Sequence, residues 1–335
     1  MSWLVDRARP DIQALAPYSH AAWEPSLTRM HANELPWRVT GDASAAGLNR
    51  YPEPQPPPLV NGLARLYDVA PNQVLVGRGS DEAIDLLMRV YCRAGVDNVI
   101  ICPPTFGMYG VAARIQGAEV RAVPLKADAG FALDEAALLA RVDDNTKLVF
   151  VCSPNNPTAN VVQPDQLLRI ARALAPRALL VVDEAYIDFA PVESLCRWLQ
   201  AVPGLAILKT LSKAHGLAGA RVGALIAAPE VIALARKVIP PYAITELTVE
   251  AVSPLLEPAA IERMRERVAN LLKERTRLAE GLARSPLITK VWPSDANFLL
   301  VDSSNPAEVL ARVRSAGLII RDVRQPALPN SLRIS

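Results

Sequence analysis

The chain has 335 residues, of which 51% are apolar and 21% charged, with a formal net charge of +2. That length suggests roughly two domains, and the composition supplies enough apolar material for a buried core, which excludes a disordered chain. A charge so near neutral gives no electrostatic reason for a nucleic acid or an anionic membrane as partner.

Four cysteines, Cys92, Cys102, Cys152 and Cys196, show no C-x-x-C pairing and no histidine at ligand spacing. Neither a disulfide framework nor a metal site is expected, and a reducing compartment fits. The first residues, Met1 to Arg7, lack the apolar stretch of a signal peptide. No apolar run reaches the ~18 residues of a membrane span. The expectation is a soluble, cytoplasmic protein without metal.

In chain order, residues 1–60 read as an extended, irregular N-terminal arm. Its segment Tyr51-Pro52-Glu53-Pro54-Gln55-Pro56-Pro57-Pro58 is not expected to be helix or central strand, because proline lacks the amide donor. The first 50 residues hold no pattern of a helix-turn-helix domain. Such an arm must lie on something, either the body or a second subunit. From about 70 to 228, apolar runs at Gln73–Val76, Asn98–Cys102, Val120–Val123, Lys147–Cys152, Leu179–Val182 and Leu205–Leu208 alternate with amphipathic stretches at Asp81–Arg93, Asp134–Val142 and Pro164–Leu174. Several runs are nearly continuous in Val, Ile and Leu, as in strands covered on both faces. The alternation predicts an α/β fold with a mostly parallel sheet and helices on both faces, in a large domain over 61–243. After about 240 the pattern changes. A long helix is predicted from Ala259 to Arg284, then strands at Phe298–Val301 and Leu318–Ile320 with a helix at Pro306–Ala316 between them. These make a smaller α+β domain over 244–335, which the arm partly joins.

Open parallel sheets bind ligands at the carboxyl ends of their strands, so the residues that follow the apolar runs carry the chemical signal. Gly77-Arg78-Gly79-Ser80-Asp81-Glu82 joins a strand to a helix, with Ser80 suited to the N-cap. It is either an ordinary turn or a phosphate seat made of free helix amides. It is not a complete G-x-G-x-x-G, which disfavours a dinucleotide fold. Ser153-Pro154-Asn155-Asn156-Pro157-Thr158 presents Asn156 at a bend; an Asn-Pro turn explains it equally. Leu179-Leu180-Val181-Val182-Asp183-Glu184-Ala185-Tyr186 puts an acid at the end of a buried strand, where it is costly without a cationic partner. This stretch also resembles the Walker B pattern, but no G-x-x-x-x-G-K-[ST] loop exists here to complete it. A protonated pyridine nitrogen would suit Asp183, and the carboxylate would keep such a ring an effective electron sink. Thr210-Leu211-Ser212-Lys213-Ala214-His215-Gly216 runs on through Arg221-Val222-Gly223. There a lysine among small residues can be partly buried, which lowers its pKa and makes the amine nucleophilic. Ser212 and Arg221 can donate to a phosphate. The alternatives are a surface lysine before a Gly-rich loop, or a Ser-Lys hydrolase. The hydrolase is disfavoured because adjacent residues on a helix do not face each other.

The order GSDE, SPNNPT, VVDEAY and TLSKAHGLAGARVG resembles the fold-type-I pyridoxal-phosphate-dependent aminotransferases. Within them it is most similar to the histidinol-phosphate aminotransferases. His31-Ala32-Asn33-Glu34, Arg50-Tyr51-Pro52, Cys102 to Tyr109, Ile320-Arg321-Asp322 and Leu332-Arg333-Ile334 add to the likeness, which spans essentially the whole chain.

The resemblance implies pyridoxal 5'-phosphate as cofactor, held as a Schiff base on Lys213, which then moves the proton. It implies that Asp183 pairs with the ring nitrogen, that Asn156 and Tyr186 bond the phenolic oxygen, and that Phe106 stacks on the ring. Ser80, Asp81, Ser212 and Arg221 would hold the phosphate, Asp81 through its amide more than its acid. Tyr51 would reach the phosphate in the neighbouring subunit of a homodimer. Arg333 would bind the substrate anion, since its planar fork suits carboxylate and phosphate alike. Arg321, Tyr18 and Asn33 are candidates for further substrate contacts, with a surface ion pair to Asp322 as the plainer role for Arg321. The implied reaction is amino transfer between histidinol phosphate and 2-oxoglutarate, in histidine biosynthesis. Aromatic amino-acid transamination and phosphothreonine decarboxylation are the alternatives on the same scaffold. A non-catalytic sensing module and a nucleotide hydrolase rank behind them. The sequence departs from the pattern where Phe106 replaces a common tyrosine, where Asn33-Glu34-Leu35-Pro36 matches the arm motif only in part, and where it ends at Ser335, soon after Arg333.

Overall fold

The computed structural model describes residues 2–20, 24 and 26–335. The chain opens with two short helices, α1 (Trp3–Asp6) and α2 (Pro10–Ala14), which corrects the expectation of an irregular arm over residues 1–60. Their apolar side chains explain them. Leu4, Ala8 and Ile12 are buried in the core of the large sheet's helical layer, and Arg7 donates to the carbonyls of Asp144 and Thr146 at 2.6 and 3.1 Å. Pro57 and Pro58 begin helix α3 (Pro57–Tyr67). This is a second correction, because proline is tolerated in the first turn of a helix, where no amide partner is needed.

Each of the six apolar runs forms a strand within two residues of its expected bounds. These are β1 (Val74–Gly77), β2 (Asn98–Ile101), β3 (Glu119–Ala122), β4 (Thr146–Cys152), β5 (Leu179–Asp183) and β6 (Leu205–Thr210). A seventh strand, β7 (Gly223–Ala227), was not read from the sequence. It enters between β1 and β6 and runs antiparallel to both, giving the order β1-β7-β6-β5-β4-β2-β3. Every residue of β4, β5, β6 and β7 is buried, as their apolar runs require. The edge strand β3 instead exposes Glu119 and part of Arg121, charges that discourage pairing with another sheet.

Between the strands run α4 (Ser80–Tyr91), α5 (Met108–Gln116), α6 (Glu135–Ala140) and α7 (Pro164–Leu174), and α8 (Pro229–Val238) follows β7. Helices α4, α5 and α8 cover one face of the sheet, and α3, α6 and α7 the other. Because side chains alternate along a strand, Leu179 and Val181 of β5 enter the first layer, and Leu180 and Val182 the second.

Helix α9 (Glu246–Val252) leads to the long helix α10 (Pro258–Ala283). A small antiparallel sheet follows, built from β8 (Ile288–Val291), β9 (Leu299–Ser303), β10 (Arg321–Asp322) and β11 (Ser331–Ile334) in the order β10-β11-β9-β8, with α11 (Pro306–Ser315) against it. The strand expected at Leu318–Ile320 is displaced. Leu318 and Ile319 are exposed, and pairing begins only where Arg321 meets Arg333 across the ladder. Among the described residues, no helix is long and apolar enough to cross a membrane.

Candidate active site

At the carboxyl edge of the large sheet lies a cavity of about 150 Å³. Nine residues singled out in the sequence line it: Ser80 and Asp81 after β1, Phe106 after β2, Asn156 after β4, Asp183 and Tyr186 at the end of β5, Ser212 and Lys213 after β6, and Arg221 before β7. Segments far apart in sequence converge because parallel strands end at one edge and the antiparallel β7 starts there.

One wall is built for an anion. Gly79 has φ +85°, a conformation that glycine adopts without strain. It is the N-cap of α4, so Ser80 is the first helical residue and not the cap the sequence suggested. The approach of β7 is equally tight: a Cβ on Gly223 would lie 2.5 Å from the carbonyl carbon of Gly79 and 2.6 Å from the Ser80 nitrogen. The free amides of a twelve-residue helix therefore face the cavity. Beside them Arg221, itself left-handed at φ 54°, reaches toward Ser212 Oγ and Asp81 Oδ2, at 3.4 Å each.

The floor carries Asp183. It is buried, with Oδ2 accepting the hydroxyl proton of Tyr109 at 2.7 Å and Oδ1 the amide of Ala185 at 3.0 Å. Burial pushes its carboxyl up to about 6, against the opposing pull of those two donors. No basic side chain forms an ion pair with it among the described residues. Its neighbour Glu184 points to the opposite face and has a donor on each oxygen. Lys209 pairs with it at 2.5 Å, Ser194 donates at 2.5 Å and the Leu195 amide at 2.8 Å.

Lys213 stands over Tyr186, its Nζ 5.5 Å from the ring centroid. The residue is exposed rather than partly buried. Even so, its amine pKa is lowered, first by loss of solvation at the pocket and next by the charge of Arg333. Asn156 links two candidates, donating to the Tyr186 hydroxyl at 3.4 Å and accepting from Arg333 at 2.5 Å. Arg333 lies 5.2 Å over the Phe298 ring, and its Nε is buried without a partner among the described residues.

The remaining candidates lie outside the cavity within one chain. Arg321 is opposite Arg333 in the β10–β11 ladder, so the two side chains leave the sheet on one face. Asp322 pairs with Arg324 at 2.7 Å. Tyr51 is half-exposed and stacks on Tyr242 at 4.5 Å. Tyr18 is exposed beside His20, and Asn33 is exposed in a left-handed turn.

The residues that sequence reasoning missed are Tyr109, Cys152 and Thr210. Tyr109 follows Phe106 by three, a spacing that can bring two side chains together, but nothing local shows that its hydroxyl meets an acid 74 positions later. Among the described residues no cluster of metal-ligating side chains occurs.

The residues present fit a phosphorylated pyridine aldehyde: an amine held below its ordinary pKa, a buried acid lacking a cation, and a helix N-terminus with arginine and serine donors. Comparison with known proteins agrees. The family model described as aminotransferase class I and II matches residues 30–335. A histidinol-phosphate aminotransferase of Stenotrophomonas maltophilia (strain R551-3) is 46% identical over 332 residues, which cover 98% of this chain and 91% of that one. The crystal structure of histidinol-phosphate aminotransferase from Sinorhizobium meliloti in complex with pyridoxal-5'-phosphate superposes with a TM-score of 0.78 at 27% identity, covering 86% of this chain and 78% of that one. The L-threonine-O-3-phosphate decarboxylase of Porphyromonas gingivalis shares the fold, with a TM-score of 0.72 at 22% identity over 86% of each chain.

Proposed function

This chain belongs to the class I and II aminotransferase family, and from that premise we propose that it transfers an amino group between histidinol phosphate and 2-oxoglutarate in histidine biosynthesis, with pyridoxal phosphate as cofactor. The observation that carries the proposal is the presence in one cavity of Lys213, with its lowered amine pKa, and of Asp183, a buried acid with no cationic side chain paired to it among the described residues. The cofactor supplies an aldehyde that takes up amino groups and a ring that draws electrons from the adjacent carbon.

Lys213 Nζ would hold the cofactor's aldehyde and, once the substrate amine has displaced it, would serve as base and acid, carrying a proton from the carbon that bears the substrate's amino group to the cofactor's aldehyde carbon. A depressed pKa suits both tasks, because only the neutral amine is a nucleophile or a base. Asp183 would keep the ring nitrogen protonated. Asn156 and Tyr186 would donate to the ring oxygen, and Phe106 would cover the ring face. The Ser80 and Asp81 amides, Ser212 and Arg221 would seat the phosphate. Arg333 takes the substrate's anionic group; its unpartnered Nε supports that role. Arg321, Tyr18 and Asn33 are our candidates for further substrate contacts, and the backbone register favours Arg321. The half-exposed Tyr51, with its amide fixed to Glu34 at 2.6 Å, is proposed to complete the phosphate site of a second copy in a homodimer. We divide the chain into an arm (1–60), a cofactor domain (61–243) and a small domain (244–335).

The test is direct. Purified protein supplied with cofactor should absorb in the visible, lose that absorbance to borohydride, and carry the reduced cofactor on the peptide containing Lys213. In a single turnover, histidinol phosphate should bleach it faster than phenylalanine, aspartate or phosphothreonine. Bleaching led by phenylalanine, or carbon dioxide released from phosphothreonine, would overturn the substrate assignment.

A further inference from the structure

Tyr109 has no part in the roles above, yet it touches the site at its most consequential carboxylate. Its hydroxyl donates to Asp183 Oδ2 at 2.7 Å, while the Ala185 amide occupies Oδ1 at 3.0 Å. Each oxygen therefore has one donor from the protein, and the orientation of the carboxylate is set. The ring of Tyr109 is itself fixed, stacked on Phe150 at 5.0 Å and edge-on to Phe106 at 5.6 Å. It is fully buried, so no water competes for the bond. In a medium of low polarity such a bond gains strength, and its loss leaves a buried oxygen short of a donor.

We infer that Tyr109 is a positioning residue for the reaction: its hydroxyl holds the Asp183 carboxylate in its ionised form and at the angle from which it can face a protonated ring nitrogen. The reasoning rests on the cofactor reading above. A hydrogen bond given to the charged form of an acid favours that form, and here it opposes the burial that drives Asp183 toward neutrality. A neutral Asp183 could not hold a cationic ring. Tyr109 also packs against Phe106, so one buried side chain braces both the group proposed to cover the ring and the group proposed to charge it.

Tyr109→Phe tests this cleanly, because it keeps the ring and its stacking and removes only the hydroxyl. In the cofactor-free chain, the Asp183 titration midpoint, followed by carboxyl carbon NMR, should move up by about one unit. The cofactor dissociation constant should rise about tenfold, as expected for losing one charge-assisted hydrogen bond. The turnover number should fall while KM changes less than about twofold, since Tyr109 does not line the cavity. Against an Asp183→Asn background the same substitution should change cofactor affinity less than about twofold, because the partner is gone. Protein made with a fluorinated tyrosine, a stronger donor of similar size, should move the midpoint downward, which gives a second reading should the phenylalanine variant fold poorly.

An unmoved Asp183 midpoint with unchanged cofactor affinity overturns the inference. So does a loss of affinity that persists in Asp183→Asn, which would make the effect one of packing. If wild-type protein takes up no cofactor reducible onto Lys213, the functional reading itself fails. If wild type does and Tyr109→Phe matches it in every respect, only this inference fails.

Discussion

Asp183 and Glu184 are adjacent, both buried at the end of β5, and each has a lysine of the β6 segment near it. Their surroundings are opposite. On the α3 side, Glu184 and Lys209 are in contact at 2.5 Å and both carboxylate oxygens of Glu184 have donors, and Lys209 also lies 4.8 Å over the Tyr67 ring. Burial pulls the pKa of Lys209 down, but Glu184 with Cys196 and Asp188 together raise it above the ordinary value. On the α4 side, Asp183 and Lys213 line one cavity, and both are pushed toward their neutral forms. One pair is closed and structural. The other is kept apart, and a group that fits between them gains what each lacks. Chemistry is to be sought where a fold leaves charges uncompensated at an accessible edge.

Substitution should separate the two faces. Lys213→Ala should lower turnover by more than about 10³-fold through loss of acid–base catalysis, with the melting temperature of the cofactor-free chain little changed; steady-state kinetics and calorimetry check this. Lys209→Met should do the reverse in kind. It strands Glu184 in the core and should cost about 3–5 kcal/mol of stability in denaturant melts. Lys209→Met combined with Glu184→Leu should recover much of that loss. Equal inactivation by the two single lysine variants with no difference in stability would erase the contrast.

Asp183 sharpens the contrast through pH. An aspartate has a midpoint near 3.9 in an unfolded chain, and burial raises it to about 6 here. Between those values the folded, cofactor-free chain binds the extra proton, so stability falls as pH rises through the interval, by up to about 3 kcal/mol. Asp183→Asn removes that slope. The variant should be more stable than wild type when cofactor-free at pH 7, and should bind cofactor far more weakly. Gly223→Ala is expected to have a smaller effect, about 1–3 kcal/mol. Its Cβ must displace the Gly79–Ser80 backbone, so cofactor affinity should fall along with stability. At the small end, Glu274→Gln, in an exposed pair with Arg277, should leave the denaturant melt unchanged within its error, because solvent screens such a pair.

Much of this was legible beforehand. The six strands carried their own apolar runs, and the residues that follow them line the cavity because open parallel sheets place strand ends together. What escaped depended on partners distant in sequence. β7 lies antiparallel between β1 and β6, with Gly223 opposite Gly77 and Thr210, and its five apolar residues do not encode that direction. The Asp-Glu pair gave no sign that one acid would be neutralised and the other left open, because Lys209 and Tyr109 lie 25 and 74 positions away. The exposed Leu318 and Ile319 read as strand because burial, and not composition, decides that outcome. Tyr18, Asn33 and Tyr51 fall outside the cavity of one chain, whereas the residues on the sheet's edge are complete within it.

The central claim is that Asp183 is a buried acid kept for a cation the chain does not itself provide. It is tested most directly by the Asp183 titration, measured by carboxyl carbon NMR with and without bound pyridoxal phosphate. Cofactor-free protein should titrate near pH 6, and loaded protein should hold Asp183 ionised from pH 5 to 8. The same midpoint in both states would contradict the account.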